Sequence, residues 1–491
     1  MHSPDALFIG GRINPIQLGF HMKISKILLI FFLLVFSLPL SGSLAGCSSP
    51  TAQPRSDKPN IILILTDDQP YQTMQYMPTV QKELVAKGVN FTNAYVTTPL
   101  CCPSRSSILT GLYVHNHGVK TNRIPLGGAT VFNDSSTLPV WLQSAGYHTA
   151  LMGKYLNDYD ALPEGYIPPG WNEWDAFVKK VPEKDFYYGY TLAENGKTVQ
   201  YGFNSKDYST DVLRDKAVDF IKENRDVPFF LMFTPYSPHQ PYMAADRHKD
   251  MFKTYDTFSP YNPPNYFEED ISDKPDWLNS YEPQTKEYVE KVYQRQLRSL
   301  MGVDDAVAAI VTELEKEGIR DNTIIIFMSD NGLALGDHRL IGKACPYEAC
   351  IHVPFVVSYP DKIPASRTDS SMVLNIDIAP TLTELGGIPN VPAPDGQSFL
   401  SMLTDPDSQF RDGFLIEQYQ DDGEDRSMTS RVPAYIGFRT KDWKYVEYET
   451  GERELYDLVN DPYEMDNLFG IPAYDDVIAD LQEKIEKIRR R

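Results

Sequence analysis

The chain is short of cysteine and of positive charge. Its five cysteines (Cys47, Cys101, Cys102, Cys345 and Cys350) are too few for a disulfide framework, so a hydrophobic core has to hold the fold. Among 491 residues, 42% are hydrophobic, ample for a large core. Lysine and arginine number 46 against 67 aspartates and glutamates, a formal net charge of −21. Such a balance keeps the protein soluble and argues against a nucleic-acid surface. It also gives no long-range attraction for polyanions, so an anionic substrate would have to be met by basic residues concentrated locally. Internal repeats and low-complexity tracts are absent, which excludes a repeat architecture.

Long apolar runs are scarce as well. Ile27–Leu40 follows Met22-Lys23-Ile24-Ser25-Lys26, is too short for a convincing membrane span, and fits the apolar part of a signal peptide. Leu44-Ala45-Gly46-Cys47 then resembles a bacterial lipoprotein signal in which Cys47 becomes the lipidated first residue; an ordinary secretory cleavage site beside a chance cysteine is the other reading. Acyl chains on Cys47 would anchor the protein to a membrane surface. The expected organisation is therefore a targeting segment at 1–46, a polar, proline-containing tether at 47–59, a catalytic domain at 60–409 and a C-terminal α+β subdomain at 410–491. An exported protein is expected, in the bacterial cell envelope, the periplasm or the extracellular space.

The body alternates apolar strands with helical stretches, the pattern of an α/β fold with a mostly parallel sheet flanked by helices. Asn60–Thr66 reads as a buried strand from its continuous apolar run, and His148–Met152, Pro228–Thr234, Thr323–Met328 and His352–Ser358 read similarly. Helices are expected near Thr210–Asn224 and Thr285–Glu317. Residues 254–283, rich in proline, acid and aromatics (Tyr255, Phe258, Tyr261, Tyr266, Phe267, Trp277), form a long loop. It is either functional or a surface insertion packed by its own rings. After 410, short segments at Ala434–Arg439, Trp443–Tyr448 and Glu454–Leu458 read as an antiparallel meander followed by a helix at about 474–490.

Two strand ends carry candidate metal ligands. Asp67 and Asp68 directly follow the strand 60–66, and Asp330 and Asn331 follow the strand 323–328. Ligands of α/β sheets bind outside the carboxyl ends of parallel strands, and hard oxygen donors suit Ca2+ or Mg2+ rather than zinc. Adjacent carboxylates there repel one another unless a cation or solvent intervenes. A third feature is Cys101-Cys102-Pro103-Ser104-Arg105, opening a short helix that ends near Gly111. With Pro103 at the first helical position, Cys101 stands just before a helix N-terminus, where the backbone dipole lowers a thiol pKa.

Cys-x-Pro-Ser-Arg followed by a helix and Thr-Gly resembles the motif of the sulfatases, formylglycine-dependent members of the alkaline phosphatase superfamily. The resemblance continues through Thr66-Asp67-Asp68-Gln69, Met152-Gly153-Lys154-Tyr155, Ser237-Pro238-His239, Ser329-Asp330-Asn331-Gly332, Gly342-Lys343 with Pro346-Tyr347-Glu348, and Asp442-Trp443-Lys444-Tyr445 with Leu455-Tyr456-Asp457.

It implies that a formylglycine-generating or sulfatase-maturating enzyme converts Cys101 to formylglycine (3-oxoalanine). One hydroxyl of the hydrated aldehyde then attacks sulfur, and the second helps expel sulfate. By the same resemblance Asp67, Asp68, Asp330 and Asn331 hold a calcium ion together with the modified Cys101. Arg105 orients the formylglycine, Lys154 and Lys343 contact sulfate oxygens, and His239 is the general acid to the leaving oxygen.

Two positions depart from the family pattern. Leu156 stands where many sulfatases have histidine, leaving Asn157, His115 or His117 as substitutes; His352 replaces an arginine, with a structural effect expected. Cys345 and Cys350 either pair or remain two thiols.

The double cysteine and Gly153-Lys154-Tyr155-Leu156-Asn157 look especially like N-acetylglucosamine-6-sulfatases and heparan 6-O-endosulfatases. This implies a sulfated carbohydrate substrate, in the first place one with 6-O-sulfated N-acetylglucosamine; separately, the aromatics of 254–283 are expected to stack on sugar rings. The alternatives are an arylsulfatase, a phosphodiesterase or phosphonate monoester hydrolase of the same superfamily, or a non-catalytic glycan-binding surface lipoprotein.

Overall fold

The computed structural model describes residues 58–178, 186–363, 366–405, 410–420 and 431–490. The targeting segment, Cys47 and most of the tether lie outside the described residues. In chain order the strands are β1 (Asn60–Thr66), β2 (Val89–Tyr95), β3 (His148–Gly153), β4 (Glu173–Val178), β5 (Thr191–Glu194), β6 (Lys197–Gln200), β7 (Phe229–Thr234), β8 (Thr323–Ser329), β9 (Ala334–Leu335), β10 (Ile341–Gly342), β11 (Phe355–Ser358), β12 (Arg367–Leu374) and β13 to β16 (Gly413–Gln418, Tyr435–Thr440, Trp443–Tyr448, Arg453–Asp457). Ten of them make one sheet in the order β12-β2-β11-β8-β1-β7-β3-β4-β5-β6. Its middle, β8-β1-β7-β3-β4, is parallel throughout, so these strands end at the same edge.

The continuous apolar run of β1 is explained by burial on both faces. Ile61, Leu63 and Leu65 enter one apolar cluster; Ile62 and Ile64 enter the other. Over the second face lie the helices Ser209–Glu223 and Lys286–Lys316, each within a residue of the expected bounds. Over the first lie the helices Cys101–Thr110 and Ile378–Leu385 and the four-stranded sheet β13-β14-β15-β16. Beyond the expected meander, β13 adds a strand, and the helix Asp475–Arg489 packs on the small sheet.

Two expected elements differ. In the segment at 352–358 His352 makes an isolated bridge to Tyr95, the continuous strand starts only at Phe355, after Pro354, which has no amide hydrogen to donate, and β11 runs antiparallel to β8. Cys101, not Pro103, is the first residue of its helix, with Leu100 as N-cap and Pro103 still inside the first turn, where a missing N–H costs nothing. Gly111 ends this helix in the left-handed region at φ 74°, where a Cβ would meet the Pro394 side chain at 2.9 Å.

The aromatic segment 254–283 packs largely on itself and its surroundings. Phe258 is buried among Phe252, Tyr255 and Tyr293, and Tyr266 stands against Tyr261 and Phe267. Trp277 is 7% exposed and packs against Tyr448 of the small sheet, so it is not available as a platform for a sugar. The aromatic character of this segment reflects its need for a local core.

Candidate active site

Four neighbouring parallel strands deliver chemistry to one edge. β1 runs into Asp67 and Asp68, β8 into Asp330 and Asn331, β3 into Lys154, and β7 into the turn Ser237-Pro238-His239. The helix Cys101–Thr110 enters from the first face and brings Cys101 and Arg105; Lys343 follows β10. Every residue of that helix is buried, which the polar run Ser104-Arg105-Ser106-Ser107 tolerates because its side chains are bonded. Ser106 Oγ donates to the Cys102 carbonyl at 2.9 Å, and Ser104 Oγ accepts from Asn375 at 3.0 Å.

The Cys101 sulfur lies 3.5 Å from Asp67 Oδ1, 3.7 Å from Asp68 Oδ1 and 2.7 Å from Lys343 Nζ. Lys343 also donates to Asp68 Oδ1 at 2.6 Å, and Lys154 to Asp67 Oδ2 at 2.6 Å. Arg105 donates from Nε to Asp330 Oδ2 at 2.8 Å and from Nη1 to the Lys154 carbonyl at 2.7 Å. His239 places Nε2 3.5 Å from Asp68 Oδ2, and its Nδ1 donates to the Gln240 carbonyl at 2.8 Å. That second bond fixes the tautomer and turns Nε2 toward the cluster. Asp68 sits at φ 63° and is held there by its own amide, which donates to Asp330 Oδ1 at 3.1 Å.

Burial and charge compete throughout. Burial alone would raise the carboxyl of Asp67, but Lys154, His239 and Arg105 outweigh it and hold the group below its ordinary range; Lys343 and His239 do the same for Asp68. Burial pushes His239 down against the pull of Asp67 and Asp68. At Cys101 burial wins over both lysines and lifts the thiol well above its usual value. Burial therefore works against the acidified thiol that a place at the helix N-terminus leads one to expect.

The donor set fits a hard divalent cation. Asp67, Asp68, Cys101 and His239 offer atoms that all lie within 4.8 Å of one another. Asn331 Oδ1 is buried with no hydrogen-bond partner among the described residues, while its Nδ2 donates to Asp68 Oδ1 at 2.8 Å. Carboxylate and amide oxygens are the ligands calcium and magnesium prefer.

Of the substitutes for the histidine missing at Leu156, His117 bonds Ser107 Oγ at 3.1 Å and His115 bonds Glu417 at 3.0 Å, both away from this cluster. Leu156 itself is buried in the apolar core. Asn157 keeps a buried Oδ1 with no hydrogen-bond partner among the described residues. His352 stacks on Tyr71 at 3.9 Å and bonds the Thr92 carbonyl at 2.8 Å, a packing role. Cys345 and Cys350 are joined in a disulfide.

Other residues at the site gave no sign in the sequence. Gln296, fully buried, donates to the Asp68 carbonyl at 3.4 Å. Tyr187 donates to the His239 carbonyl at 2.7 Å, and Tyr236 lies 4.5 Å from the His239 ring and 5.8 Å from Lys154 Nζ. Asn122 accepts from the Cys102 amide at 2.9 Å. Their signal is spatial only: Gln296 is 228 positions from its partner.

A parallel α/β sheet that gathers acids, an amide, two lysines and a helix-borne cysteine at its carboxyl edge defines a hydrolase-type centre for an anionic group. Residues 59–388 match the sulfatase family model, and residues 336–491 match the model described as N-sulphoglucosamine sulphohydrolase, C-terminal. The chain belongs to the sulfatase family. It is 37% identical over 445 residues to the extracellular sulfatase SULF-1 homolog of Drosophila melanogaster, covering 85% of this chain and 37% of that protein. It is 35% identical over 460 residues to the N-acetylglucosamine-6-sulfatase of Capra hircus, covering 84% and 80%. The chain thus spans little more than a third of the fly relative's length, and 53% of a putative extracellular sulfatase of Caenorhabditis elegans. Among solved structures, a protein in complex with its substrate D-glucosamine-2-N,6-O-disulfate superposes with a TM-score of 0.77 at 26% identity, over 88% of this chain and 98% of that one.

Proposed function

We propose that this protein hydrolyses sulfate esters, and that its substrate is a glycan carrying 6-O-sulfate on N-acetylglucosamine-type residues. The observation that carries the reading is the seat of Cys101: one buried sulfur touching Lys343 and facing Asp67 and Asp68. The substrate class is supported by the relatives named for N-acetylglucosamine-6-sulfate chemistry and by the solved neighbour with a 6-O-sulfated glucosamine.

Asp67, Asp68, Asp330 and Asn331 are the residues that would hold a divalent cation, with calcium the best match to an all-oxygen set. Bound there, the cation would neutralise charge on the transferred group, and a formylglycine at position 101 would supply the nucleophilic oxygen. Lys154 and Lys343, held in a water-poor pocket, bind sulfate oxygens and offset the repulsion of the acids. Arg105 clamps Asp330 to the strand carrying Lys154, so two strand ends keep one spacing. His239, its Nδ1–H committed to Gln240, would act as general acid in its doubly protonated form, which Asp67 and Asp68 favour, giving the Nε2 proton to the leaving sugar oxygen.

Among the described residues no helix is long and apolar enough to cross a membrane. The proposed location is extracytoplasmic, with Cys47 as a lipid anchor, and a maturating enzyme as partner at Cys101. Release of inorganic sulfate from 6-O-sulfo-N-acetylglucosamine by the chain made in its own host tests the function. No release from this or any other sulfated sugar, with cleavage of a phosphonate monoester instead, would overturn it.

A further inference from the structure

The ring closed by Cys345 and Cys350 lies between three parts of the active site. Two residues before it, Lys343 carries the amine that touches both Cys101 and Asp68. Between them, the Ala344 amide donates to the carbonyl of Pro99, two residues before Cys101, at 3.0 Å. At the other end of the ring, the Cys350 carbonyl accepts from the Gly332 amide at 2.9 Å, and Gly332 directly follows Asn331. The approach there is so close that a Cβ on Gly332 would meet the Ala349 carbonyl oxygen at 2.4 Å.

The ring is also fixed from outside. Lys444 donates to the Pro346 carbonyl at 2.9 Å, Tyr347 to Glu454 at 2.9 Å, and the Glu348 amide to Glu464 at 2.8 Å, all three partners belonging to the C-terminal region. A cross-link over so few residues restrains the unfolded chain less than one closing a long loop would. What it restrains in the folded chain is the path from Lys343 to the backbone behind Asn331. Ala344, at φ 74°, is the strained point of that path, held by its hydrogen bond to Pro99, by its burial in the apolar core and by the ring that follows it.

We propose that the Cys345–Cys350 disulfide is a positioning element of the active site. It sets the distance between Lys343 and the metal-side strand end at Asn331, and couples both to the small C-terminal sheet. The inference rests on the functional reading above, through the roles given there to Lys343 and Asn331.

The test compares the full chain with a Cys345→Ala, Cys350→Ala double variant. Because that variant can fail to fold, wild-type chain produced with disulfide formation suppressed, its two free thiols verified by alkylation and mass spectrometry, serves as a second arm. Two quantities are read: calcium affinity by calorimetry on chain with unconverted Cys101, and kcat and KM for sulfate release by matured chain. The expected result is a calcium affinity weaker by about tenfold and a kcat lower by about tenfold, with KM unchanged, at a temperature where far-UV circular dichroism shows folded protein. A lower Tm with calcium affinity and kcat both unchanged would overturn the proposal and leave the disulfide a general staple. If wild type releases no sulfate at all, the functional reading fails, and the calcium comparison alone decides this inference.

Discussion

Lys343 Nζ lies 2.7 Å from the Cys101 sulfur and 2.6 Å from Asp68 Oδ1, so one amine bridges the proposed nucleophile position and a proposed metal ligand. Its pKa is held well above the lysine range: burial would lower it, but the carboxylates of Asp68 and Asp67 outweigh that. A permanently charged, enclosed lysine is a preorganised partner for a developing anion. Lys343→Ala is therefore expected to lower kcat by about 10²- to 10³-fold, and Lys343→Arg to recover little, because the pocket fits a point charge rather than a planar fork. Steady-state sulfate release checks both.

Metal binding is expected to stabilise the fold. Calcium at about one hundred times its Kd should add about 2.7 kcal/mol, seen as a rise in Tm that a chelator reverses. In Asn331→Ala, which removes the unpartnered Oδ1, the same calcium concentration should give a clearly smaller rise. An identical rise would exclude Asn331 from the ligand set.

Much of this centre is legible in the amino-acid sequence. Strand β1 can be placed to the residue because an uninterrupted apolar run that stops at two acids forms little else than a doubly buried strand. The motif residues around Cys101 then identify which strand ends meet. Three features are not legible. The thiol pKa depends on complete enclosure of Cys101, which no local pattern reveals. Trp277 reads as one aromatic of a proline-rich loop, either functional or packed on its neighbours, until Tyr448, far along the chain, is placed against it. Gln296 looks like any polar residue of a long helix, although it is buried beneath Asp68.

The corrected place of Trp277 has a consequence. Trp277→Ala should leave KM for a sulfated glycan unchanged while costing about 3–5 kcal/mol of stability, since a large buried ring between body and small sheet is deleted. Chemical denaturation and glycan kinetics on one preparation separate the two effects.

Lys444 is fully buried between Glu348, at 3.2 Å, and Glu464, which it contacts still more closely. Lys444→Met would leave the buried carboxylate of Glu464 facing the part-buried one of Glu348, with Arg439 still on Glu348 at 3.1 Å. A loss of about 3–5 kcal/mol is expected in denaturant titrations.

Acid should weaken the fold through two histidines. Burial pushes His117 down to about 3 and His352 down to about 4, against an ordinary value of 6.5. Both stay neutral in the folded chain while the unfolded chain takes up protons below pH 6.5. Stability is therefore full above that pH and is lost as pH falls toward 4, by about 1.4 kcal/mol per histidine per pH unit. His352→Gln should flatten this slope in Tm measured between about pH 7 and about pH 4.5.

Position 101 is proposed to act as a formylglycine in sulfate-ester hydrolysis, and everything else in the mechanism depends on it. Mass spectrometry of the peptide containing Cys101, from chain made in its own host and assayed for sulfate release in parallel, tests it most directly. The expected result is an aldehyde at position 101 in active preparations, with Cys101→Ala folded, calcium-binding and inactive. An unmodified thiol in a preparation that nonetheless releases sulfate, or full activity in Cys101→Ala, would contradict it.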